Sequence, residues 1–149
     1  MKSVLFVCLG NICRSPLAEA IAKREASRRG YDITIDSAGT GSWHIGETPC
    51  ANSQKVAKQR GLDISSYRGR QVCSADFDKF DIVIGLDSSN VSNLKKLGCS
   101  KAKLLGEYGA NGEDVPDPYF FDGFEGFDRV FDMIDRCVVE LFEREFTDV

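Results

Sequence analysis

Histidine occurs once in this 149-residue chain, at His44, and no Cys-x2-Cys pair occurs among its six cysteines. A structural zinc site needs four close-spaced Cys or His ligands, so none is expected here, and nothing else calls for a metal or cofactor. No apolar run approaches the roughly 20 residues of a membrane span. There is no excess of positive charge: 19 Lys and Arg face 23 Asp and Glu, a net charge of −4. That balance argues against general nucleic-acid binding. No signal-peptide pattern is present, because Met1-Lys2 runs straight into an apolar strand. Repeats, low-complexity tracts and linkers are also missing. Cys8, Cys13, Cys50, Cys73, Cys99 and Cys137 make an even count, which in a short secreted chain would signal disulfides. Regular secondary-structure patterning and the lack of an export signal favour a reduced, cytoplasmic protein instead.

What is present suits one domain over residues 1–149, with 42% hydrophobic and 28% charged residues. Ser3 to Val7 is a continuous apolar run, as in a strand buried on both faces. A helical pattern follows from about Pro16 to Arg29 and stops at Gly30. Tyr31 to Asp36 reads as a second strand. Thr48-Pro49 reads as the cap and first position of a helix running to about Arg60. Ser74 is a candidate cap for a short helix to about Phe80. Asp81 to Leu86 is a third strand, Ser88 to Leu97 a helix, and Lys103 to Leu105 a short fourth strand. Gly106 to Asp122 has no period and reads as a long loop, a length that usually carries function. The last helix, about Gly126 to Glu145, sets Val130, Ile134, Cys137, Val138 and Leu141 along one apolar face. The expected fold is an open, mostly parallel, four-stranded α/β sheet with helices on both faces. Such sheets bind ligands beyond the C-terminal ends of their strands. The loop after strand one, Ser37 at the end of strand two, Asp87 after strand three and the Asp117 loop all fall at that edge.

The chemistry concentrates in Cys8-Leu9-Gly10-Asn11-Ile12-Cys13-Arg14-Ser15-Pro16, the turn from the first strand into the first helix. A glycine-bearing strand-to-helix turn gathers backbone N–H groups into an anion site. A cysteine among those donors and beside a guanidinium is favoured as thiolate. An arginine fork fits two phosphate oxygens at once. Cys8 therefore reads as a nucleophile rather than a buried structural cysteine. Arg14 reads as the clamp on transition-state charge rather than a surface ion pair. Ser15 is a candidate N-cap. Asn11 sits where positive φ is needed, which asparagine tolerates, and its amide is placed to bond Ser37 and Ser15. Asp117, between Pro116 and Pro118, is the leading candidate for a leaving-group acid; Glu113, Asp114 and Asp122 read as solvated loop acids. Trp43, Tyr119 and Phe120 either wall a slot for a flat ring or pack into the core. His44 reads as a loop residue near the cleft rim.

The full string from Cys8 to Pro16 resembles the signature loop of the low-molecular-weight protein tyrosine phosphatases. The resemblance continues at Asp36-Ser37-Ala38-Gly39-Thr40, Leu86-Asp87-Ser88-Ser89-Asn90 and Val115-Pro116-Asp117-Pro118-Tyr119-Phe120, so it spans the chain in order. It implies hydrolysis of protein phosphotyrosine and small aryl phosphates through a cysteinyl-phosphate, with Cys8 as nucleophile, Arg14 as clamp and Asp117 as general acid and base. Leu9, Gly10, Asn11, Ile12, Cys13 and Ser15 would complete the phosphate loop, and Ser37 and Asp87 would support it. It also implies a Ser15 hydrogen bond to the Cys8 thiolate, and Trp43, Tyr119 and Phe120 at the cleft mouth, beside His44 at its rim. Tyrosine-phosphorylated proteins and phosphate-like oxyanions would be the partners, with no nucleic acid and no membrane. The chain departs from the family at Phe120, where many members carry a second tyrosine. A reversible Cys8–Cys13 disulfide is implied as well, protecting the nucleophile from over-oxidation; the alternative for Cys13 is a small buried side chain. Cys50, Cys73, Cys99 and Cys137 take the structural reading.

Three other functions compete. An arsenate reductase of the same fold would need a close pair of further redox cysteines near Leu86-Asp87-Ser88, and none is there. A phosphopeptide-binding module would not need Cys8, Arg14 and Asp117 together. A phosphatase for phosphoarginine tends to carry threonine where this chain has Ile12, and the apolar residue favours phosphotyrosine.

Overall fold

The computed structural model describes residues 2–118 and 124–146. The first strand, β1 (Lys2–Cys8), is flanked by β2 (Ile33–Gly39) and β3 (Ile82–Gly85), and β4 (Lys103–Leu104) pairs with β3. All three pairings are parallel, in the order β2-β1-β3-β4. The helices are α1 (Arg14–Arg29), α2 (Ala51–Gln59), α3 (Ser74–Lys79), α4 (Ser88–Lys96) and α5 (Glu125–Glu145).

Strand periodicity explains why helices are needed on both sides. In β1, Val4, Phe6 and Cys8 join the larger core with Leu17, Ile21, Val56, Ile134 and Phe142 of α1, α2 and α5. Leu5 and Val7 point the other way, into a smaller core with Phe80, Val83 and Leu94, against which Phe77 of α3 and Val91 of α4 pack. A strand apolar at every position can be buried only if both faces are covered. The five residues assigned to the apolar face of the last helix are all fully buried.

Three helix caps differ from the sequence reading. That of α3 is Cys73, with Ser74 as the first helical residue. The N-cap of α2 is Cys50, not Thr48. The N-cap of α1 is Cys13, so Ser15 lies inside the first turn and caps nothing. In α1 and α2 a tertiary bond at the cysteine, described below, sets the start in place of a hydroxyl cap. Strand β2 also runs on to Gly39, since Cys8 pairs with Gly39 in register. Gly30 ends α1 with φ 69°, and its N–H bonds the carbonyls of Ala26 and Ser27. Because β1 is central and its neighbours are reached by opposite crossings, the β1–α1 loop opens at the point where strand order reverses, the usual ligand position in such sheets.

Candidate active site

The loop between β1 and α1 is held by one asparagine. Asn11 adopts φ 59° and is almost fully buried. Its amide nitrogen donates to Ser15 Oγ (2.8 Å) and Ser37 Oγ (3.0 Å), and its amide oxygen accepts the backbone N–H of Arg70 (3.0 Å). Ser37 in turn donates to Glu19 Oε1 at 2.6 Å. Ser15 accepts from Asn11, so its hydroxyl proton is left to donate to Cys8 Sγ, 3.0 Å away. The Asn11 N–H also points at Cys8 Sγ, at 3.3 Å. Two donors thus converge on the sulfur, the environment that a thiolate nucleophile needs. Gly39 lets the loop lie this close to β2, because a Cβ there would stand 2.7 Å from the Leu9 carbonyl oxygen.

Arg14, the first residue of α1, is buried, and its Nη1 donates to Asp87 Oδ2 (2.7 Å) and to the Val115 carbonyl (3.0 Å). Asp87 is itself fixed: it caps α4, with Oδ1 accepting the N–H of Asn90 at 2.8 Å and Asn90 bonding back to the Asp87 N–H. Asp87 therefore supports Arg14 rather than the loop backbone. A cavity of about 160 Å³ opens over the loop, lined by Cys8, Leu9, Gly10, Ile12, Cys13, Arg14, Trp43, His44 and Asp117. Asp117 is half-buried at its rim and Trp43 is largely exposed. His44 bonds Glu47 through Nδ1 at 2.9 Å.

This geometry matches what the comparisons find. Residues 3–147 match the family model described as low molecular weight phosphotyrosine protein phosphatase. YfkJ of Bacillus subtilis, a low molecular weight protein-tyrosine-phosphatase, is 43% identical over 84% of this chain and 85% of its own. The chain belongs to the low molecular weight phosphotyrosine protein phosphatase family. The family's member from Schizosaccharomyces pombe is 41% identical over 83% of this chain and 84% of its own. The crystal structure of YfkJ superposes with a TM-score of 0.87, covering 96% of this chain and 93% of that one. A Drosophila arginine phosphatase covers the whole of both chains at 36% identity and a TM-score of 0.90.

Within this phosphatase-family site, the described residues include Cys8 to Ser15, Ser37, Trp43, His44, Asp87 and Asp117. Tyr119 and Phe120 lie outside them. One feature goes against the sequence reading. Cys13 is disulfide-bonded to Cys50, with the Cα atoms 5.4 Å apart, while Cys8 is a free thiol. So Cys13 pairs with Cys50 rather than with Cys8 in this structure, and the expectation of six reduced cysteines is not met. Asp114 is exposed, as expected of a solvated loop acid, and it accepts from both the N–H (2.9 Å) and the Oγ (2.5 Å) of Ser88, tying the acid-bearing segment to the start of α4.

Three residues escaped the sequence reading. Glu19 is a buried carboxylate four residues after Ser15 on the same helix face, a spacing that carried the signal. Arg70 holds Asn11 through its backbone while its side chain bonds Asp36 and both oxygens of Asp76. Burial opposes the charge on Asp76, but the Arg70 hydrogen bond and the Cys73 N–H outweigh it and hold its pKa below the usual carboxylate value. Likewise, burial opposes the Lys23 charge, but Glu19, 2.6 Å away, raises its pKa above the ordinary lysine value. No helix among the described residues is long and apolar enough to cross a membrane.

Proposed function

We propose that this protein hydrolyses phosphotyrosine in proteins, and small aryl phosphates, through a phospho-Cys8 intermediate. The observation that carries the reading is the convergence on Cys8 Sγ of the Ser15 hydroxyl and the Asn11 N–H, at the N-terminus of a helix whose first residue is Arg14. The thiolate attacks phosphorus, and the phosphoryl oxygens are cradled by loop N–H groups, the start of α1 and the Arg14 fork. Asp117 gives a proton to the departing phenolate, then takes one from the water that attacks phospho-Cys8. Ile12, Trp43 and Leu9 offer apolar walls to a flat ring.

The likeness to a named arginine phosphatase makes phosphoarginine the second substrate to try. The deciding experiment measures turnover of a phosphotyrosine peptide, a phosphoarginine peptide, a phosphoserine peptide and an aryl phosphate, with Cys8→Ser as control. Phosphotyrosine and the aryl phosphate are expected to be turned over, with activity lost and vanadate binding kept in Cys8→Ser. A phosphoarginine rate above the phosphotyrosine rate overturns the substrate assignment, and substantial turnover by Cys8→Ser overturns the covalent mechanism.

A further inference from the structure

Three of the six cysteines meet at one loop. Cys8 and Cys13 line the same cavity, and Cys13 is bonded to Cys50 at the start of α2. The remaining three are elsewhere. Cys73 is exposed at the start of α3, and burial pushes the thiols of Cys99 and Cys137 up, the latter to about 11.

The approach of Cys50 to the loop rests on more than the disulfide. The Cys50 N–H donates to the Ile12 carbonyl at 2.7 Å, and Ser53 Oγ donates to the Cys13 carbonyl at 3.1 Å. Neither bond involves a sulfur, so both remain available to hold the start of α2 against the loop once the disulfide is reduced. Cys13 and Cys50 are also the N-caps of their helices, α1 and α2, a position that favours the thiolate.

We propose that Cys50 is a resolving cysteine that frees the nucleophile after oxidation, with Cys13–Cys50 as the end state. The sequence starts from three thiols and a peroxide as oxidant. The Cys8 thiolate takes one oxygen from peroxide and becomes a sulfenic acid, which reduces the peroxide to water. The Cys13 thiolate attacks Cys8 Sγ, forming the Cys8–Cys13 bond and releasing the oxygen as water after protonation. The Cys50 thiolate then attacks Cys13 Sγ; the Cys13–Cys50 bond forms, the Cys8–Cys13 bond breaks, and its electron pair leaves on Cys8. This last step is an exchange without net oxidation. A leaving thiolate that receives hydrogen bonds from Ser15 and Asn11 is a good one, which drives the exchange toward free Cys8. The family's expected pairing thereby becomes an intermediate. The enzyme keeps its nucleophile while the oxidation is stored one position away, and a thiol reductant resets it.

The proposal rests on Cys8 being the nucleophile. Its test reads bond connectivity by mass, independently of activity. Reduced, desalted wild type and Cys50→Ser are given a short peroxide pulse, quenched with catalase, and followed without thiol on p-nitrophenyl phosphate and by alkylation and peptide mapping. Before the pulse the two should be equally active, since Cys50 does not line the cavity. After the pulse, wild type should regain more than half of its starting activity, with Cys13 linked to Cys50 and Cys8 alkylated. Cys50→Ser should stay below one tenth until thiol is added, with Cys8 linked to Cys13. Cys50→Ala, which adds no polar group, should match Cys50→Ser. Wild type that stops at Cys8–Cys13 or at Cys8 sulfinic acid overturns the proposal, as does equal thiol-free recovery in the Cys50 variants. A reduced wild type without phosphatase activity would instead count against the function reading, with the mapping still deciding the role of Cys50.

Discussion

The two halves of the site are built to different standards. In the loop from Cys8 to Ser15, the buried Asn11, Arg14 and Ser15 are bonded to named partners from β2, the segment before α3, and the loop before α4. The segment bearing Asp117 is anchored upstream instead: Asp114 bonds Ser88, the Val115 N–H donates to the Leu86 carbonyl, and the Val115 carbonyl receives Arg14. Asp117 itself sits at the rim, half-buried, facing the cavity from between two prolines. The difference fits the two jobs proposed for them. Charge that develops on phosphorus is best met by donors already in place, which cost no reorganisation at the moment of reaction. The proton donor proposed at Asp117 has to meet leaving groups of different size and then a water, and the bonds of Asp114 and Val115 set the segment that carries it.

The sharpest way to break this comparison is Arg14→Lys. Lysine keeps the charge but loses the planar fork and cannot reproduce both Nη1 bonds, to Asp87 and Val115. We expect kcat to fall by far more than tenfold, or about 1.4 kcal/mol, measured on p-nitrophenyl phosphate; a smaller loss would remove Arg14 from the clamp.

Next in size is Asp117→Asn, whose cost should depend on the leaving group. Tyrosine, with a pKa near 10, needs the proton, whereas p-nitrophenolate leaves tolerably as an anion. Phosphotyrosine turnover should suffer more than p-nitrophenyl phosphate, and the limb of the pH–rate profile that reports the acid should flatten. Equal slowing of both substrates with an unchanged profile would move the acid elsewhere, to Asp87 or His44.

The smallest effect concerns the support behind the loop. Asp76 binds Arg70, whose N–H holds Asn11, and its pKa is held below the usual value. A carboxylate with a lowered native pKa stabilises the fold above its unfolded pKa of about 3.9 and loses that contribution as pH falls through the native value. Asp76→Asn should therefore cost about 1–3 kcal/mol at pH 7 in denaturant unfolding. The gap to wild type should shrink below about pH 4. A gap that stays constant with pH would mean that the Asp76 charge is not what supports Arg70.

Much of this was legible without coordinates. The alternation of strands and helices, both-face burial of β1, the helix stop at Gly30, the positive φ of Asn11 and its bonds to Ser15 and Ser37 all follow from the residues. These are short-range matters. Periods of two and 3.6 report burial within one element, and the spacing from Cys8 to Arg14 closes a single turn from strand to helix.

What only the tertiary structure decided lies in long-range pairings. Cys13 and Cys50 are 37 residues apart in sequence, and nothing local distinguishes Cys50 from a buried cysteine. The caps of α1 and α2 depart from their local signals for the same reason, since Thr48 and Ser15 are the better local caps and the cysteines take their places through contacts across the loop. Glu19, Arg70 and Asp76 look like surface charges along the chain. They become parts of the site because a buried hydroxyl or amide must find a partner, and the parallel sheet brings those partners to one edge. The chemistry proposed for Cys8 is thus written in one loop, while the residues that support that loop and the Cys13–Cys50 bond exist only where distant segments meet.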